Sequence, residues 1–176
     1  NGLDPYRDRQ SWTPYLCRQH AWEAGKALAM LHKASADFDA PPRGDHPLVT
    51  SLTILPAADP IAAMADYLAA RPAAAAYLAD KPWRETMADL LGQYGEGLSA
   101  DLARQPSLWT HNDWHPTNLL WTRDGAVETI FDFGLSTRTN AVHDIATAIE
   151  RACIPWLEFQ DGHADARPEP EAALRL

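Results

Sequence analysis

Cysteine is nearly absent, with Cys17 and Cys153 the only two in 176 residues. Thiols that few and that far apart supply neither a disulfide framework nor a CxxC-type metal or redox motif, and a chain of this kind is expected in the reducing cytoplasm. Long apolar runs are missing too. The Ala-rich stretches are interrupted by Asp, Arg, Lys and Pro before they reach the ~20 residues that cross a bilayer. The opening "NGLDPYRDRQ" also lacks the apolar core of a signal peptide. The expectation is therefore no membrane segment. Positive charge is scarce: 15 Lys and Arg stand against 24 Asp and Glu, a net charge of −9. No basic cluster is visible, which argues against a general nucleic-acid binder, because phosphate neutralisation needs a positive surface. An acidic surface suits a cationic substrate, although excess carboxylates commonly serve solubility alone. No internal repeat is seen. The chain starts without Met and stops at "EAALRL", so it is expected to be a piece of something larger.

What is present is enough for a real core: 46% of residues are hydrophobic and 22% charged, the balance of a soluble globular chain. In "SWTPYLCRQHAWEAGKALAMLHK", Thr13 is placed to cap a helix and Pro14 to occupy its first position. Cys17, Ala21, Ala24, Leu28 and Leu31 then recur along one face, and the helix is expected to end near Lys33, with Gly25 open to a close neighbour. "ADFDAPPRGDHP" reads as loop, and "LVTSLTIL" as a short strand or extended connection. "DPIAAMADYLAAR" and "RPAAAAYLADKPW" each repeat the Pro-initiated start of a short helix, the first with Asp as cap. From Pro82 to about Gln105, an apolar stripe of Trp83, Met87, Leu90, Tyr94, Leu98 and Leu102 predicts one long helix, stopped by Pro106. The fold class expected is α+β, mainly helical.

The chemistry concentrates in "HNDWHPTNLL", residues 111–120. Pro116 makes a continuous helix through His111 and His115 unfavourable, which spoils the same-face geometry of a helical zinc site. The segment reads instead as a loop leading into a β-hairpin: "NLLW", an Asp-Gly turn, then "VETIFDF". Pairing 119 with 131, 120 with 130 and 121 with 129 centres the turn on Gly125 and sets Asn118 opposite Asp132. An amide oxygen beside a carboxylate is a hard-ligand pair suited to Mg²⁺, which keeps waters and draws its other ligands from phosphates. Asp113, in the preceding loop, reaches the same mouth with no basic partner evident nearby in sequence.

"HNDWHPTN" followed by "FDFG" resembles the catalytic loop and metal-binding motif of the aminoglycoside phosphotransferase and choline kinase family, which is similar to protein kinases. "AGKALAMLH" resembles that family's helix after the interlobe hinge, and "VHDIATAIERA" its helix behind the catalytic loop. The resemblance spans roughly residues 12–152, with only the two short motifs specific. It implies Asp113 as general base, Asn118 and Asp132 as Mg²⁺ ligands, and His111 and Asp144 as supports of the loop; His115, outside that match, is a candidate contact to phosphate or substrate. It also implies ATP and Mg²⁺ as cofactors and a small-molecule hydroxyl as acceptor: an aminoglycoside, choline, homoserine, a macrolide or a sugar.

Two departures stand out. Asn112 occupies a position where small-molecule kinases of this family usually show glycine, and asparagine is the side chain that best tolerates positive φ, so a left-handed backbone is expected there. The family's glycine-rich nucleotide loop and strand lysine are missing; Lys26, Lys33 and Lys81 fall in or beside predicted helices. Residues 1–160 thus resemble a C-terminal lobe alone, 161–176 read as a polar tail or the start of a truncated region, and the nucleotide lobe is absent from this sequence. Rival readings are a non-catalytic binding lobe and a metal hydrolase built on His111, Asp113 and His115. Taken singly, Asp113, Asn118 and Asp132 are ordinary turn-capping residues, and it is their joint spacing that carries the signal. Trp109, Trp114 and Trp121 read as core packing. Asp144 suits the first turn of a helix whatever its role. His115 reads equally as a surface residue, and Asp161, His163 and Asp165 as part of a solvated tail.

Overall fold

The computed structural model describes residues 2–44 and 52–154. Asp161, His163, Asp165 and the predicted tail lie outside those residues, as does half of the predicted extended stretch at 48–55, whose described part, 52–55, is turn and bend rather than strand. Six α-helices and four short strands are described: α1 (Arg18–Ser35), α2 (Pro60–Ala69), α3 (Pro72–Leu78), α4 (Trp83–Tyr94), α5 (Leu98–Ala103), β1 (Ser107–Thr110), β2 (Leu119–Trp121), β3 (Val127–Ile130), β4 (Thr137–Asn140) and α6 (Ala141–Cys153). The architecture is α+β and mainly helical. The chain divides into two compact units, Asn1–Thr50 with Ser107–Leu176, and Ser51–Pro106. No described helix is long and apolar enough to cross a membrane.

In the Ser51–Pro106 unit, Asp59 caps α2 as its sequence demands, its carboxylate accepting from the N–H groups of Ile61 and Ala62 at 3.0 Å each, with Pro60 in the first turn. The single long helix expected from Pro82 to Gln105 is instead two. The chain breaks between α4 and α5, where Gly97 adopts φ 72°, a left-handed conformation that glycine enters without the Cβ penalty. Gly95 closes α4 so tightly that a Cβ there would sit 2.5 Å from the Leu91 carbonyl oxygen. An apolar stripe alone did not hold the helix through those glycines, and Leu90 and Tyr94 of the stripe are exposed.

The other unit holds two antiparallel ribbons: β1 pairs with β4, and β2 with β3. Helix α1 packs on β1 and β3, and α6 on β1 and β4. Its core is Tyr6, Ala24, Leu28, Trp114, Leu119 and Trp121, each large apolar side chain contributing about 1.5–3 kcal/mol by leaving water. Trp114 and Trp121 are core residues as expected, and Trp121 also stacks on His20 with centroids 4.1 Å apart. Leu3 extends the second ribbon by bonding both ways to the Trp121 backbone, at 2.7 and 2.8 Å.

Helix α1 starts four residues later than Pro14. Its N-cap is Cys17 with no side-chain cap, so Thr13 does not take that role. The cause is tertiary: the buried Tyr6 hydroxyl accepts the Leu16 N–H at 2.9 Å and bonds His20 Nδ1 at 2.8 Å, while Trp12 turns to φ 64°. These contacts hold residues 12–16 off the helical path. Gly25 meets no neighbouring helix, for its face is open and lines an apolar cavity of about 290 Å³ with Trp114, Ile145 and Ile149.

Candidate active site

The predicted hairpin forms, but its register differs from the count. Leu119 pairs with Ile130, Leu120 with Thr129 and, past an irregularity, Trp121 with Val127. Gly125 sits at φ 82° in a turn closed by Thr122 N–H donating to Ala126 O at 2.8 Å. The turn is thus centred one residue earlier than a symmetric count around Gly125 gives, and the extra residue is absorbed as a bulge. In consequence Asn118 lies opposite Phe131, whose N–H donates to the Asn118 carbonyl at 3.2 Å, and Asp132 is the next residue along. Strand β3 ends at Ile130; Phe133–Leu135 form a single 3-10 turn.

The loop ahead of the hairpin hangs from one buried carboxylate. Asp144, in the first turn of α6 and fully buried, accepts the backbone N–H groups of His111 at 3.0 Å and Asn112 at 2.8 Å, and the His32 Nε2–H at 2.8 Å. Burial pushes its carboxyl pKa up, but the His32 bond, then the two N–H donors, outweigh that and hold it below the usual carboxylate range. Asn112 has φ 61°, the left-handed conformation its identity implied. Its buried amide oxygen lies 3.0 Å from Thr110 Oγ1 and 3.2 Å from Thr139 Oγ1, and its nitrogen donates to Leu135 O at 3.3 Å. Ribbon β1–β4, which the sequence did not announce, thereby locks the strained residue in place.

His111 is wholly buried, its Nε2–H donating to Phe131 O at 2.9 Å while Nδ1 accepts the Asp113 N–H at 3.3 Å. Both ring nitrogens are spoken for within the protein. That occupancy counts against the zinc-hydrolase alternative, which needs a His111 nitrogen free to ligate. His115 is buried at 3% exposure, not a surface residue; its Nδ1 bonds Thr117 Oγ1 at 2.8 Å and its Nε2 lies 3.5 Å from Asp113 Oδ2.

Asp113 is not without basic partners. Arg151 Nε lies 3.7 Å from Oδ1, opposite His115 at Oδ2, and the guanidinium rests 4.3 Å from the Trp12 ring centroid. Burial raises the Asp113 pKa; the His115 hydrogen bond and charge, with Arg151 and His111, overcome this and hold the carboxyl below its ordinary value. Sequence separation hid Arg151 and His32. Helical spacing was the available signal, since Arg151 is seven residues beyond Asp144 and His32 four beyond Leu28, each on the inward face.

Asn118, 6% exposed, donates Nδ2–H to the Asp113 carbonyl at 3.0 Å. That bond fixes which end of the amide is which and leaves its oxygen as the atom for a cation. Asp132 is exposed at φ 57°, one carboxylate oxygen accepting the Gly134 N–H at 3.3 Å. Among the described residues no three His, Cys, Asp or Glu converge as a metal cluster. An amide and a carboxylate, both oxygen donors, are the sparse protein set that Mg²⁺ tolerates when water and phosphate complete its shell, so the residues fit that ion chemically.

The family model described as the phosphotransferase enzyme family matches residues 5–175. The chain belongs to that family, and the resemblance read from "HNDWHPTN" and "FDFG" is borne out. No curated protein matches it.

Proposed function

We propose that this chain is the catalytic, C-terminal lobe of a kinase-like fold that moves the γ-phosphoryl group of ATP to a hydroxyl of a small molecule. The observation that carries this reading is the Asp113–Asn118 link: the amide donates to the backbone carbonyl of the residue proposed as base, at the Asp-to-Asn spacing used by phosphoryl-transfer loops, with Asp-Phe-Gly following across the hairpin. Asp113 accepts the acceptor hydroxyl and takes its proton as the new O–P bond forms and the bond to ADP breaks. Its depressed pKa keeps it ionised at neutral pH. Asn118 and Asp132 would hold Mg²⁺, which supplies charge neutralisation on the phosphates. His111 and Asp144 keep the loop in shape, and His115 steadies the Asp113 carboxylate. Residues 1–160 form this lobe, and cytoplasmic ATP is its donor.

The test is ATP consumption across a panel of hydroxyl acceptors, in protein made with whatever coding sequence lies upstream of Asn1. Asp113→Asn should lower turnover by about 10²–10⁴ and leave MgATP affinity nearly intact. Asp132→Ala should remove Mg-dependent nucleotide binding. Unchanged turnover in the first variant excludes Asp113 as base, and normal MgATP affinity in the second excludes Asp132 as a ligand. A wild-type protein that binds acceptors but never consumes ATP would favour the non-catalytic binding lobe.

A further inference from the structure

The turn that follows Asp132 is gripped from outside by a residue far away in sequence. Arg43, in the loop after α1, donates Nη1–H to Gly134 O at 2.6 Å and Nη2–H to Phe133 O at 3.1 Å. Its backbone N–H donates to Thr137 Oγ1 at 3.0 Å. Phe38 and Ala40 of that loop are strapped to the β1–β4 ribbon. Trp109 Nε1–H donates to Ala40 O at 3.0 Å, and Arg138 Nη1–H reaches Ala40 O at 3.3 Å and Phe38 O at 3.4 Å. Phe38 also packs edge-on against Trp109 with centroids 5.6 Å apart. The guanidinium is therefore delivered on a fixed base, not on a free loop.

What it grips is strained. Asp132 holds φ 57° and ψ 61°, a conformation that costs an L-residue free energy and persists only where the surroundings over-determine it. Phe131 on one side is held by Asn118 O and His111 Nε2, and on the other Ser136 N–H donates to Phe133 O and the Asn112 amide to Leu135 O. The Asp132 carboxylate itself accepts only the 3.3 Å bond from Gly134 N–H among the bonds described, and a cation drawing on that carboxylate competes with it. A planar fork on the next two carbonyls adds a restraint that a cation on the carboxylate does not weaken, since guanidinium donors are rigid and charge-assisted.

We propose that Arg43 is the positioning residue of Asp132: it clamps the Phe133 and Gly134 carbonyls so that the Asp132 carboxylate stays presented at the hairpin mouth. This rests on reading Asp132 as the metal-side carboxylate. Lysine keeps the charge and loses the fork, so Arg43→Lys separates clamping from electrostatics, and Arg43→Met removes both.

Two measurements on the full chain test it. Without metal, the Asp132 ¹³Cα and ¹³Cβ shifts and HN–Hα coupling report its backbone. In Arg43→Lys and Arg43→Met they should leave the left-handed pattern while the Asn112 signals stay put, which a global loss of structure would not allow. Unchanged Asp132 signals in both variants overturn the clamp. With Mn²⁺ alone as probe, counted as free ion by electron paramagnetic resonance, Arg43→Lys should bind about tenfold more weakly, or about 1.4 kcal/mol. Equal or tighter Mn²⁺ binding in Arg43→Lys overturns the link to the cation. A wild-type chain that binds no Mn²⁺ even with ATP added to complete the ion's shell, yet loses the Asp132 pattern in the variants, refutes the metal reading of Asp132 and leaves the clamp standing.

Discussion

Replacing Asp144 tests whether one carboxylate holds up the candidate catalytic loop. In Asp144→Ala the N–H groups of His111 and Asn112 lose their acceptor, and the His32 imidazole loses its partner. Stranding a buried donor costs about 1–3 kcal/mol, and a hydrogen bond to a charged group such as the buried carboxylate is worth about 1.5–3 kcal/mol. Because the three losses share one site and partly relax together, the expected destabilisation is about 4 kcal/mol. Asp144→Asn keeps one oxygen of the same shape but points an N–H₂ at a donor, so about half that loss is expected. Urea unfolding read by tryptophan fluorescence measures both. With a slope of about 2 kcal/mol per molar, the midpoint falls by about 2 M for Ala and about 1 M for Asn. A loss under about 1 kcal/mol for Ala would refute the reasoning, and so would Asn costing as much as Ala. The sign with pH follows from the depressed folded-state pKa. Asp144 contributes fully above its unfolded value, about 3.9, and its contribution fades as pH falls through the lower folded value. The gap between wild type and Asp144→Ala should therefore narrow in acid, and a gap that widened would contradict the assignment.

Asn112→Val should destabilise by about 2–4 kcal/mol, combining about 1–2 kcal/mol for a β-branched residue at positive φ with the loss of the buried amide's bonds to the Thr110 and Thr139 hydroxyls and to Leu135 O. Asn112→Gly removes only the second part, so the two variants should differ measurably by differential scanning calorimetry; equal losses would show that φ is not the constraint. Asp59→Ala deletes both cap bonds of α2 and should cost about 1 kcal/mol by the same measurement. No change there would mean that α2 is held by packing alone.

Much of this protein could be read along the chain. The α+β class, the Asp59–Pro60 helix start, the hairpin with glycine in its turn, and the left-handed Asn112 all follow from interactions within a few residues, where covalent geometry and local hydrogen bonding decide. The spacing of Asp113, Asn118 and Asp132 was legible for the same reason. Other features depended on partners distant in sequence. Tyr6 delays α1, Asp144 captures the loop through its backbone, and Arg151 flanks Asp113, which sequence alone left without a basic neighbour. The hairpin register slipped by one because a bulge responds to how both strands pack and not to a symmetric count. Composition and periodicity report what each segment can do in isolation. Which buried donor meets which acceptor is decided only when segments a hundred residues apart exclude water together, since an unpaired polar group there costs more than the bond is worth on balance.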